Sequence, residues 1–384
     1  MNVSRKMKNG VENPNEPHQV QIWISSAGDK NSFSYDKTIE LLEMSILNPS
    51  KYGIFGCDYK VPLFNGLLPK DFLNEIKTSP TFSEISFSKE YLSRFCGSSN
   101  ESWFDYEKFS IHRKLVNPET KENIRDGIES FYILSVDIAR RGCQTVCTVL
   151  KVFPRKDKPW KLNLVNLYIL GKTEDEKVFD KQVLELKKLI ARFNPRQVVI
   201  DINGIGISFA DMMIKETYDP ETAGFYPAYG FTNREEYDSL QPRNCPKILY
   251  GIKANAQINS DMHSILYTKV YSGLIDFLIT EKEASTKLKA TKAGQKMAPE
   301  AKVKRIMPHE LTSILIDEIM NLRVKPTGVS NQIQVEQINK RTLKDKFSAL
   351  EMGVYYAQQL ENEELERRRN RGLSRRLVFY RSGG

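Results

Sequence analysis

The sequence predicts an α/β fold, a mixed sheet flanked by helices, and three observations predict it. Between residues 131 and 170, three apolar or alternating runs, FYILSVDIA, CQTVCTVLKVF and KLNLVNLYIL, follow one another across short polar connections. A helix-period stretch, TEDEKVFDKQVLELKKLIARF, comes next, and after it a short buried run, QVVID. A helix between strands is the crossover that brings the fourth strand back parallel to the first and packs on the sheet face. Asp137 and Asp201 then fall at the carboxyl ends of neighbouring central strands, the edge at which open α/β sheets bind ligands.

The 384 residues exceed the usual size of one domain, so two are expected. Residues 1–16 are polar and read as a flexible arm. QVQIWISSAG reads as a buried strand running into a small-residue turn, and SYDKTIELLEMSILN as an amphipathic helix. The aromatic, Gly- and Pro-bearing stretch that follows, up to SKEYLSRFCGSSNESWF, adds helices but no further strand. Residues 17–105 thus hold too little for a complete sheet domain. A linker is expected over 106–130 and the main domain over 131–366.

Within that domain GISFADMMIKET reads as a helix, GFYPAYGF and KILYGIKA as strands, and ANAQINSDMHSILYTKVYSG as another helix. Lys287, Lys289, Lys292, Lys296, Lys302, Lys304 and Arg305 crowd around Gly294 and Pro299, which suggests a flexible basic loop or hairpin. The helix LKDKFSALEMGVYYAQQLENEELERRR follows, and residues 367–384 form a basic tail.

Composition narrows the function classes. Hydrophobic residues at 40% and charged residues at 27% exclude wholesale disorder, and 57 Lys and Arg against 48 Asp and Glu (+9) favour a polyanionic partner. Five scattered cysteines fit a reducing cytosol. Cys143 and Cys147 are spaced C-x3-C without a second pair, inside a strand-like run, so they read as buried thiols and not as zinc ligands. No run approaches 18 apolar residues, which argues against a membrane span.

One tempting motif fails. Gly171, Lys172 and Thr173 sit between a strand and a helix, as in a phosphate-binding loop, but the pattern needs glycine at 166, where Asn166 stands. Thr173 and Glu176 instead fit a capping box, and ATP hydrolysis is not expected from this chain alone.

The chemistry is expected from three separated acids. Phosphodiester hydrolysis requires an activated water and a stabilised leaving oxygen, and two hard divalent cations held by oxygen ligands provide both. Asp137 and Asp201 end apolar strands, Gly204 and Gly206 leave backbone room beside Asp201, and Asp345 stands in the first turn of a helix whose apolar face is Phe347, Leu350, Val354 and Tyr355. Each Asp also has an ordinary use, as a turn former or as a helix-start carboxylate. Asp211, on the helix after Asp201, is open between a fourth carboxylate and a residue facing water, with the second favoured. His112, His263 and His309 have no partner at metal-ligand spacing; His263 and His309 read as structural or surface groups.

SVDIA, then VVIDINGIGISFADMMI, then KDKFSALEMGVYY, in this order and on these elements, resembles the nuclease domain of tailed-phage terminase large subunits. That family has an RNase H-like fold and cuts concatemeric viral double-stranded DNA during genome packaging. QIWISSAG resembles the coupling motif at the end of the terminase ATPase core, with Ser25, Ser26, Ala27 and Gly28 in the matching places. SKEYLSRFCGSSNESWF is similar to the segment that leads into the nuclease.

The resemblance implies Asp137, Asp201 and Asp345 as an acidic triad binding two Mg2+ or Mn2+ ions. It implies DNA, the small terminase subunit and the portal protein as partners, no membrane, and the cytoplasm of the bacterial host. The phosphate loop of a complete large terminase lies upstream of the coupling motif, so the expectation is a carboxy-terminal portion: a partial α/β ATPase segment followed by the nuclease. The basic residues from Lys287 to Arg305, with the Arg-rich tail, would hold duplex DNA through its phosphates. Two alternatives stay open, another RNase H-like nuclease such as a resolvase or transposase core, and a non-catalytic module that docks on a packaging motor.

Overall fold

The structure is a computed structural model that describes residues 21–28, 33–69, 71–78, 87, 90–95, 102–139, 144–156, 158–171, 178–325 and 332–381. It divides into two units, Met1–Cys96 and Gly97–Gly384. The arm over 1–16, Cys143 and the capping pair Thr173 and Glu176 lie outside the described residues.

In the first unit, residues 21–28 form no strand, and Ile22 and Ile24 are 76% and 92% exposed. The buried strand expected over QVQIWISSAG is therefore corrected. A strand needs a neighbour for its amides and carbonyls, and no described residue of this unit belongs to one. The helix expected next is present as α1 (Phe33–Leu47), followed by α2 (Lys60–Phe64) and α3 (Phe72–Thr78). None of the residues of α1 is buried; among the described residues Leu73 and Phe87 are, and rings pair, with Trp23 5.6 Å from Phe33 and Phe87 stacked 5.3 Å from Tyr91.

The second unit is organised by an eight-stranded sheet in the order β1-β10-β4-β3-β2-β5-β9-β8. Its strands are β1 (Arg113–Leu115), β2 (Phe131–Asp137), β3 (Thr145–Phe153), β4 (Lys161–Leu170), β5 (Gln197–Asp201), β8 (Gly230–Phe231), β9 (Lys247–Ile252) and β10 (Ile275–Leu278). Two-stranded antiparallel pairs stand apart, β6 (Thr217–Asp219) with β7 (Gly224–Tyr226), and β11 (Leu322–Lys325) with β12 (Gln334–Gln337). In the large sheet β3 alone runs against its neighbours. The three expected strands and the fourth, parallel to the first, are all present, and the crossover is α5 (Val178–Phe193). The span 106–130 contributes α4 (Tyr106–Ser110) and the edge strand β1, with Phe109 fully buried.

Helices cover both faces. On one side α5 and α6 (Gly206–Met213) pack on Tyr132, Leu134, Val136, Val198 and Ile200. On the other, α7 (Ala256–Tyr271), α10 (Pro299–Met320) and α11 (Asp345–Arg381) pack on Ile133, Leu150, Val152 and Val199. Alternation along β2 and β5 therefore turns Asp137 and Asp201 toward the α11 side, with Ile133 and Val199. Among the described residues no helix is long and apolar enough to cross a membrane.

Gly353 lets α11 lie close on β2 and β3, because a Cβ there would stand 2.8 Å from Leu150 Cδ1 and 2.9 Å from Ser135 Cβ. Gly353→Val overfills this contact and is expected to destabilise the unit by about 1–3 kcal/mol, read as a lower thermal midpoint. A midpoint equal to wild type would mean that the contact has slack.

Residues 282–305 are not a loop or hairpin. They lie on α8 (Glu281–Lys289), α9 (Lys292–Lys296) and the start of α10. The physical reason is capping: Thr280 and Glu283 close a capping box, the Thr291 hydroxyl accepts the Gly294 N–H at 3.0 Å, and Pro299 occupies the first turn of α10. The terminal helix α11 runs on through Arg367, Arg368 and Arg369.

Candidate functional site

The last paired couple of β2 and β5 is Val136 with Ile200, so the register ends with Asp137 and Asp201 side by side. Asp201 Oδ1 accepts the N–H of Asn203 at 2.9 Å, which fixes the carboxylate as the chain turns. Gly206 completes the turn: a Cβ there would lie 2.1 Å from the Asp201 carbonyl oxygen, so α6 can start this close to β5 only with glycine. Asp345 opens α11, and its Oδ2 accepts the N–H of Gln144 at 2.7 Å, just before β3 begins.

A cavity of about 640 Å³ lies over this edge, lined among others by Asp137, Asp201, Asn203, Asn255, Lys344 and Glu351. Burial holds the Asp137 carboxyl well above the usual carboxylate range, and the charges of Asp345 and Asp201 push it further, against Lys344. Burial also raises Asp201, opposed by its hydrogen bonds to Asn203. No described residue donates a hydrogen bond to the Asp137 carboxylate. The three aspartates expected from the sequence thus meet at one sheet edge as a crowd of like charge.

Asp211 is not brought to them. It sits on α6 and takes a hydrogen bond from Tyr237, which packs in the cluster on the α5 side, and burial with this carboxylate beside it pushes the phenol up to about 12.

Other lining groups were not foreseen. His263 is buried, and its Nδ1 lies 2.7 Å from Glu351 Oε2, so Glu351 has a hydrogen-bonding partner that Asp137 lacks among the described residues. Glu351 was visible as a lone acid in the apolar run SALEMGV, but nothing ties it to a histidine 88 residues away. Lys344, which no sequence pattern singles out, lines the cavity.

Among the described residues no three His, Cys, Asp or Glu side chains stand ready-made around one ion. Magnesium keeps several waters and takes only one or two carboxylates, so that arrangement is not required. An all-oxygen set, with Asp137 half-buried, without a hydrogen-bond donor among the described residues and pressed by two further carboxylates, fits the donor chemistry of such cations.

The run of basic residues starts beside the same edge. β10 runs parallel to β4 and hence to β2, and α8 begins at Glu281, just past the carboxyl end of β10 at Leu278. β10 stands three strand spacings from β2, about 14 Å. Lys287, Lys289, Lys292, Lys296, Lys304 and Arg305 are exposed and Lys302 is half-buried; Arg305 donates to Asn117 Oδ1 at 2.8 Å. Ser25, Ser26, Ala27 and Gly28 belong to the first unit, where the Ser26 hydroxyl donates to Glu90 at 3.0 Å.

No protein-family model and no curated protein matches the sequence. Among solved structures, the magnesium-bound large terminase nuclease of thermophilic phage G20c aligns at 15% identity and a TM-score of 0.37, over 67% of this chain and 97% of that one. The chain is similar to phage large-terminase nucleases. The large terminase nuclease domain of Thermus phage P74-26 aligns at 16% identity and a TM-score of 0.34, over 64% of this chain and 92% of that one. The large terminase of bacteriophage HK97 aligns at 9% identity and 0.36, over 83% and 60%. Likeness at these scores carries no argument about which residues act.

Proposed function

We propose that this chain is a metal-dependent endonuclease of the large-terminase type, with an RNase H-like second unit that cuts double-stranded DNA. The observation that carries the reading is the meeting of Asp137, Asp201 and Asp345 at the carboxyl edge of the sheet, with Asp137 half-buried and without a hydrogen-bond donor among the described residues. Concatemeric viral DNA as substrate, the small terminase subunit and portal protein as partners, and the bacterial host cytoplasm as setting belong to the same proposal.

Asp137, Asp201 and Asp345 would hold two Mg2+ or Mn2+ ions. When bound, such ions supply an activated water and a stabilised leaving oxygen. The chain's own groups do the rest. Asn203 fixes Asp201, Gln144 fixes Asp345, and His263 engages Glu351, at 2.7 Å. Lys344 gives an incoming phosphate a counter-charge, and the exposed lysines of α8 and α9 track the duplex through its backbone, without reading bases.

The test is nicking of supercoiled plasmid by the full chain in Mn2+. Wild type is expected to cut and Asp201→Asn to leave the plasmid intact while keeping its thermal midpoint. Equal nicking by the two proteins would sink the proposal.

A further inference from the structure

Helix α11 starts without a capping acceptor of its own. Lys344, the residue before it, has none, yet the N–H groups of Lys346 and Phe347 both donate to Oε2 of Glu318 on α10, at 2.9 and 3.1 Å. The other oxygen, Oε1, accepts from the Lys346 ammonium at 2.9 Å. That ammonium also donates to Gln144 Oε1 at 3.1 Å, and the Gln144 N–H donates to Asp345 Oδ2 at 2.7 Å. Glu318 and Lys346 are 1% and 3% exposed, so water does not compete for these bonds.

A carboxylate at a helix start satisfies amides that have no intrahelical partner and sits favourably in the helix dipole. Here that carboxylate comes from another helix. It fixes the first turn of α11 directly, and through Lys346 it fixes the Gln144 side chain whose backbone holds Asp345. A buried ion pair serving stability alone would need neither the two amide bonds nor the bridge to Gln144.

We propose that Glu318 is the positioning residue of Asp345, a cap supplied in trans that sets where this carboxylate stands relative to Asp137; the proposal rests on the metal-site reading above. Partners that orient a metal ligand typically account for about 10–100-fold in metal affinity. Glu318 would do so without touching the ion.

The experiment is titration calorimetry of Mn2+ into the full chain, with thermal midpoints measured in parallel. Wild type is expected to bind and Asp201→Asn not to. Glu318→Gln is expected to weaken binding by about 10–100-fold. Beside it stands the double variant Glu318→Leu with Lys346→Met, which removes both charges and the acceptor of both amides, so its midpoint falls by the cost of the two orphaned amides and is matched against that of Glu361→Gln. Mn2+ binding weakened by both Glu318 variants, and not by Glu361→Gln at a comparable loss of midpoint, supports the proposal. Wild-type affinity in both variants overturns it and leaves the metal site standing. Equal weakening by Glu361→Gln, at a buried pair farther along α11, would mean a general loss of helix stability and also overturns it. Absence of both heat and Mn2+-dependent thermal shift in wild type overturns the metal site and this proposal together.

Discussion

Asp137→Asn is expected to abolish cleavage and, without metal, to raise the thermal midpoint. Loss of one oxygen ligand forfeits several kcal/mol of transition-state charge stabilisation, and about 4 kcal/mol corresponds to about a thousandfold in rate. Stability moves the other way because the native state strains to hold this charge: burial and the neighbouring Asp345 and Asp201 raise the carboxyl above its ordinary 3.8. The unfolded chain therefore loses this proton first as pH rises, so wild-type stability falls between 3.8 and the raised native value. The variant lacks that fall. The difference in midpoints should be absent below pH 3.8 from this group, grow as pH rises through the window and then level off. Saturating Mn2+ should stabilise wild type, by about 2.7 kcal/mol at a hundred times Kd, and leave the variant unmoved. A variant less stable than wild type at neutral pH would show that Asp137 is a structural acid and not a strained ligand.

The second large effect is on folding. Lys269 of α7 and Glu361 of α11 form a 2.7 Å pair with side chains 4% and 7% exposed, and Glu361 Oε1 also accepts the Trp160 N–H at 2.9 Å. Glu361→Ala strands a buried ammonium and a buried amide. The expected cost is about 3–5 kcal/mol, read as a lower urea midpoint with an unchanged slope. Lys269→Met combined with Glu361→Leu removes both charges, and most of the loss should return, less about 1–3 kcal/mol for the orphaned Trp160 amide. If Glu361→Ala keeps the wild-type midpoint, the pair does not hold α7 to α11.

The sheet was legible because its central strands, buried on both sides, leave unbroken apolar runs, and because strands with a helix between them have few allowed topologies. The aspartates were legible for a related reason: Asp137 and Asp201 interrupt such runs where Val or Ile would serve packing. What failed did so for physical reasons. Ile22, Trp23 and Ile24 have a strand's composition, but pairing is supplied by neighbours and local sequence does not encode it. Gly294 and Pro299 have the composition of loop markers, whereas Gly294 is buried where a Cβ would meet the Leu288 carbonyl and Pro299 opens a helix. Glu318 left no readable trace, and Glu351 and His263 showed only as a lone acid and a lone histidine, since each matters through a partner far away in the chain.

The candidate centre draws its acids from Asp137, Asp201 and Asp345, and the last of these enters with the final helix. Asp345 reaches the other two only through the packing of α11 on β2 and β3, so local opening of that one helix would take the candidate ligand set apart while the sheet itself stays intact.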